Sequence, residues 1–131
     1  MTDRVAIENL LRQMYAARLR GDLDGVCESF QPDATFQISG ASFGTPMVMS
    51  ANGIDQFRPL LAIMVKTLPH SDQKILSMLI DGAHAAVHWR VKIFSRITGT
   101  SAVTELMDMI EIRDGRIQSF TELFAPARAA S

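Results

Sequence analysis

A single cysteine, Cys27, stands in a chain of 131 residues. No disulfide can close within the chain, and the cysteine framework of a small secreted domain is missing. Neither sign of charge is in surplus: 13 Lys and Arg against 14 Asp and Glu leave a formal net charge of -1. A nucleic-acid binder shows a basic stripe, so no nucleic-acid partner is expected. No run of about 18 apolar residues occurs, so no membrane-crossing helix is expected either. The opening MTDRVAIENLL carries charges where a secretion signal needs an apolar core, which points to a cytoplasmic protein. Phosphate loops, nucleophile elbows and dinucleotide fingerprints are missing, so no cofactor is expected. The three histidines show no recognisable ligand spacing with a nearby acid, so no metal is expected.

What is present is an ordinary globular balance, 47% hydrophobic and 21% charged. A chain of this length buries roughly two thirds of its unfolded surface and needs no staple to fold. Linkers, repeats and low-complexity segments are lacking, so residues 1–131 read as one domain. Asp3 caps a helix that runs to about Arg20, with Ile7, Leu10, Leu11 and Met14 on one face. Gly21 ends it. Asp22 caps a short second helix on whose apolar stripe Cys27 reads as a small buried residue. Pro32-Asp33 is a break, Ala34 to Ser39 alternates as a strand, and Gly40 to about Ser50 reads as a loop. Asn52 opens a third helix that reaches Leu68; Pro59 either kinks it or marks where its regular part starts. Four strands follow, over Lys74–Ile80, Ala85–Ile97, Val103–Ile112 and Arg116–Phe124, separated by Asp81-Gly82, Thr98-Gly99 and Asp114-Gly115. Helices followed by an antiparallel meander predict an α+β fold. Its sheet is covered on one face by the helices and holds a cavity at the open end.

Gly21-Asp22-Leu23-Asp24-Gly25, then Phe30-Gln31-Pro32-Asp33-Ala34-Thr35-Phe36, resembles the opening of the ketosteroid isomerase and SnoaL-like polyketide cyclase group. That group lies within the nuclear transport factor 2-like superfamily. Ile112-Arg113-Asp114-Gly115-Arg116-Ile117 and Glu122-Leu123-Phe124 resemble its ending. The resemblance implies a strongly curved, mostly antiparallel sheet wrapped into a cone around an internal pocket, also described as cystatin-like. Asp108 falls on the isomerase aspartic acid that an apolar site keeps neutral so that it can donate a hydrogen bond. The isomerase base position is Ile38 here, and its oxyanion tyrosine position is Met14, with Tyr15 one residue on. One residue along a helix turns a side chain by about 100°. The catalytic Arg and Asp of the group's epoxide hydrolases fall on Trp89 and Val91, and their last aspartate on Glu122. Neither catalytic set is complete.

The pocket pattern therefore holds two carboxyls, Asp108 and Glu122, among Tyr15, Phe36, Ile38, Trp89, Val91, Ile93, Phe120 and Phe124, which are the expected ligand-binding residues. The carboxyls share a face only with the right final turn. A two-residue Asp114-Gly115 turn pairs Ile112 with Ile117 and sends Glu122 to the other face. A three-residue loop pairs Ile112 with Arg116 and places Asp108 opposite Phe120; the resemblance favours this loop. Asp108 is either a neutral buried acid, or a carboxyl on the outer sheet face or paired with Arg90 or Lys92. His70, at the start of the meander and the cavity mouth, suits acid–base work. Tyr15 either packs between helix and sheet or faces the cavity, and Trp89 is either a flat wall or plain core. Asp108, Glu122 and His70 are thus the expected catalytic residues. The expected activity is cofactor-independent isomerisation, cyclisation or dehydration of a small apolar carbonyl compound, polyketide- or steroid-like. A binding module using the same cavity is the alternative. His88, Arg90 and Lys92 face outward beside Met107 and Met109, which predicts a homodimer through the outer sheet face.

Overall fold

The computed structural model describes residues 3–42, 45–125 and 128–129. Helix α1 (Arg4–Arg20) begins where the Asp3 side chain accepts from the Val5 amide, and it stops at Gly21, whose φ is 72°. Helix α2 (Leu23–Glu28) begins the same way, with Asp22 accepting from the Gly25 amide. Each cap satisfies an amide that the helix itself leaves without a partner, as the side-chain pattern predicts.

The next segment corrects the sequence reading twice. Strand β1 (Phe30–Ser42) runs straight over Pro32-Asp33. The ladder it forms is irregular between Phe30 and Thr35, so no paired amide is demanded of Pro32. The expected loop is largely strand β2 (Thr45–Asn52), antiparallel to β1, with residues 43 and 44 outside the described ones. Its composition carries no strong alternation, and it is held by pairing with β1. Helix α3 (Ile54–Thr67) starts after Gly53 rather than at Asn52, which still belongs to β2. It continues through Pro59 as one helix.

Strands β3 (His70–Asp81), β4 (His84–Ser95), β5 (Thr100–Arg113) and β6 (Arg116–Phe124) form the expected meander. The curved sheet has the order β2-β1-β6-β5-β4-β3, and a short β7 (Arg128–Ala129) pairs with β5. Among the described residues only the β1–β6 contact is parallel. Helix α1 packs on β3, and α3 packs on β1 and β2. Phe57 of α3 stacks on Phe36 with ring centroids 3.6 Å apart, and Phe30 tilts against both. This aromatic cluster closes one end of the space between helices and sheet.

The last hairpin decides which face Glu122 occupies. Arg113 pairs with Arg116 across a two-residue turn, in which Asp114 and Gly115 have φ of 49° and 77°. These are the positive values that a hairpin turn of this length requires. The expected three-residue loop is therefore absent. A bulge replaces its effect: Ile112 pairs with Ile117 but Glu111 pairs with Ser119, so Gln118 has no partner. The extra residue returns Phe120, Glu122 and Phe124 to the inner face, and Asp108 stands directly opposite Glu122. Deleting Gln118 should turn those three side chains outward. The expected result is loss of a cooperative thermal transition, or a fall of roughly 3 kcal/mol or more from exposing two core-facing rings. Gln118→Ala keeps the register and should melt close to the parent.

Candidate functional site

Four neighbouring strands contribute one row to the inner face: Val87, Asp108, Glu122 and Ile38, each opposite the next. Asp108 is fully buried, at 0% exposure. Its Oδ2 accepts from the Tyr15 hydroxyl at 2.5 Å and from Trp89 Nε1 at 2.7 Å. Its Oδ1 receives no donor and is left to the Glu122 carboxyl beside it. Burial first, and the Glu122 charge second, push Asp108 well above the usual carboxylate range. Burial also raises Glu122, although Asp108 and Arg18 favour its charged form. Two carboxyls this close hold one proton between them, with Asp108 the protonated partner. Burial raises the Tyr15 hydroxyl as well, which keeps it a donor.

Above this pair lies a cavity of about 290 Å³. Glu122 and Arg18 sit on its wall and also on that of a small inner chamber of about 30 Å³, so they mark its deep end. Most of the wall is apolar, including Ile38, Met49, Met64, Ile93, Leu106 and Phe124. Hydroxyls from Ser95, Thr98 and Thr100 come from the β4–β5 hairpin. His70, the first residue of β3, also lines the cavity, with its ring 6.0 Å from that of Trp89. Burial, aided by the positive Arg18, pushes His70 down to about 3, so the ring is neutral.

Glu122 and His70 both line this cavity, while Asp108 reaches it only through Glu122. Pairing of Asp108 with Arg90 or Lys92 does not occur, because Arg90 lies opposite Glu105 and Lys92 opposite Val103. Among the expected ligand-binding residues, Ile38, Ile93 and Phe124 line the cavity, and Tyr15, Trp89 and Phe120 line the inner chamber. Phe36 and Val91 do not line either. Phe36 is stacked into the aromatic cluster and Val91 is 0% exposed core. Tyr15 rather than Met14 reaches Asp108, so the one-residue offset from the isomerase pattern does not remove the tyrosine from the acid.

Arg18 escaped the sequence reading. Its signal was position: it continues the buried stripe Ile7, Leu11, Met14 at four residues beyond Met14. The histidine reading also needs correction, since His84-Ala85-Ala86-Val87-His88 is a four-residue spacing and acids do lie near. His88 meets Glu105 at 3.1 Å and His84 meets Glu111 at 3.9 Å. The pair sits in a strand, where four residues span about 13 Å, too far for one ion. Among the described residues no cluster of three metal-ligating side chains forms, and no helix is long and apolar enough to cross a membrane.

Comparison with known proteins gives the same architecture. Residues 11–120 match the SnoaL-like domain. A candidate isomerase from Bacillus subtilis superposes with a TM-score of 0.79 at 19% identity, covering 95% of this chain and 89% of that one. An NTF2-like protein from Burkholderia xenovorans superposes at 0.76 with 17% identity, covering 95% and 92%. An LEH-like epoxide hydrolase from M. tuberculosis superposes at 0.70 with 18% identity, covering 88% and 80%. No curated protein matches the sequence.

Asp108 and His70, two of the buried titratable groups, act oppositely on stability. Asp108, raised when folded, contributes fully below its ordinary value of 3.8 and loses that contribution as pH climbs through the raised value. His70, lowered when folded, contributes fully above 6.5 and loses that contribution as pH falls towards about 3. Asp108→Asn keeps an acceptor for Tyr15 and Trp89 without the ionisation, so it should match or exceed the parent at pH 7. Asp108→Leu strands both donors and should cost about 2 kcal/mol or more. His70→Gln should flatten the acid limb of the profile. Melts from about pH 3 to 8 check all three, and an Asn variant clearly less stable than the parent at neutral pH contradicts the neutral acid.

Proposed function

Because the chain belongs to the SnoaL-like domain family, with a nuclear transport factor 2-like fold, we propose that it is an acid–base enzyme acting on a small, mostly apolar carbonyl compound, polyketide- or steroid-like. The reaction is an isomerisation, cyclisation or dehydration, all of which begin at a proton on the carbon next to a carbonyl. The observation that carries this reading is the carboxyl pair. Glu122 opens on the cavity, and behind it Asp108 is held by two donors and supplies the shared proton. Ile38, which occupies the isomerase base position, is the cross-strand neighbour of Glu122. A carboxylate is thus available one strand away from that position.

In this reading Glu122 removes the proton. Its raised value brings a carboxylate nearer the operating pH and makes it a stronger base than a solvated one. Asp108 holds the proton that keeps the pair singly charged at rest. His70 is too weak a base to serve as a proton donor in its charged form; its neutral ring is assigned to hydrogen bonding with the substrate oxygen. The apolar walls exclude water and strengthen each of these interactions.

Hydrogen exchange next to the carbonyl in deuterated water, followed by proton NMR over a panel of ring ketones and 1,3-dicarbonyl compounds, tests the reading. Exchange by the parent should fall about 10²- to 10⁴-fold in Glu122→Gln. The apolar Ile38 favours a second reading, a ligand-binding module. Ligand binding with no exchange above buffer for any compound would establish that module instead.

We also assign self-association to the outer sheet face, where Met107, Met109 and Leu123 are 39%, 51% and 48% exposed. Met107 lies opposite Leu123 on one side and His88 on the other, so the apolar side chains form a continuous patch that calls for cover. Sedimentation at micromolar concentration should give about twice the 14.5 kDa chain mass, and a monomer alone would contradict the assignment.

A further inference from the structure

Arg18 reverses the usual distribution of ion pairs. Arg12, Arg20, Arg58 and Arg113, all on the surface, each sit beside a carboxylate. Arg18 is half-buried, yet among the described residues no carboxylate lies within 4.0 Å of it and its side chain makes no hydrogen bond. Water-exposed pairs contribute little, whereas a guanidinium removed from water without a partner is costly. Burial pulls Arg18 below its ordinary value, but an arginine stays charged in a protein. The nearest acid, Glu122, is turned towards Asp108. A second polar atom on the same wall is also unfilled: His70 Nδ1 is buried without a hydrogen-bond partner. One end of the cavity therefore has a cation without a contact partner, a neutral ring nitrogen and the Glu122 carboxyl, which is turned towards Asp108, and the rest is an apolar body.

We propose that the cavity selects anions, and that its substrate is a carbonyl compound carrying a carboxylate that docks on Arg18. The carbonyl part rests on the acid–base reading above; the preference for an anion rests on the cavity alone. The planar guanidinium matches a carboxylate with two parallel hydrogen bonds, and the low-dielectric wall strengthens the attraction. Ile38, Met64, Ile93, Leu106 and Phe124 accept an aliphatic or ring-shaped body. A volume of about 290 Å³ sits at the lower end of small-molecule cavities, so the acid is small.

The only tryptophan, Trp89, lines the inner chamber and reports on occupancy through its fluorescence. Three probes share one ring: cyclohexanecarboxylate, its methyl ester and cyclohexylmethylamine. The carboxylate should bind the parent at least tenfold more tightly than either of the others. In Arg18→Gln that advantage should vanish with ester affinity unchanged, and Arg18→Lys should retain part of it. Ester or amine binding as tight as the acid in the parent overturns the proposal without needing any variant to fold. So does an acid advantage that survives Arg18→Gln. Glu122-dependent exchange of neutral ketones without acid preference removes the anion assignment and leaves the acid–base reading intact. Acid preference without exchange on any panel compound or on its carboxylate-bearing analogues supports the anion assignment and removes the acid–base reading.

Discussion

The site depends on one buried interaction, the acceptance of two hydrogen bonds by a single oxygen of Asp108. Tyr15 arrives from α1 and Trp89 from β4, so the bond pair ties the first helix to the sheet's inner face. A carboxyl at 0% exposure is costly when charged, and two neutral donors do not make up the lost hydration. The acid therefore keeps its proton and passes the negative charge to Glu122, the partner that touches the cavity. Positioning comes from the two donors, which favour the charged form, and protonation from burial and the Glu122 charge, which outweigh them.

The rest of the cone serves this arrangement. The bulge at Gln118 brings Glu122 to the inner face, and the aromatic stack of Phe36 on Phe57 fills the space on one side of it. Fill on that side and a void on the other leave an opening bordered by α3, β2 and the β4–β5 hairpin. Backbone ties hold that rim: Arg96 donates from its amide to the Thr67 carbonyl at 2.9 Å and from Nε to the Lys66 carbonyl at 2.9 Å. The hairpin is thereby fastened to the end of α3.

Similar folds carry different chemistry, and the names of the superposed proteins already include a candidate isomerase and an epoxide hydrolase. What distinguishes this chain is local. Trp89 donates to Asp108, and Glu122 stands across the ladder from the apolar Ile38. Arg18 brings a positive charge to the cavity from the helix rather than from the sheet. The fold sets where groups can stand, and the side chains at those places set the chemistry.

The sequence by itself determined the parts governed by local physics. Asp3, Asp22 and Gly21 cap helices wherever those helices pack, and the four-strand meander follows from alternation and Asp-Gly or Thr-Gly turns. The apolar flanks of Asp108 raised a buried neutral acid as one of the open readings, and the fold chose it. Tertiary structure decided the rest. Strand β2 has little pattern of its own and exists through its ladder with β1. The face of Glu122 turned on a bulge that no short-range signal announced, because either turn suits Asp-Gly and a single extra residue inverts every side chain after it. The partners of Asp108 lie 93 and 19 residues away, and the solitude of Arg18 is a property of everything folded around it. Periodicity records which face a residue takes on its own element, but only the assembled layers fix what stands opposite.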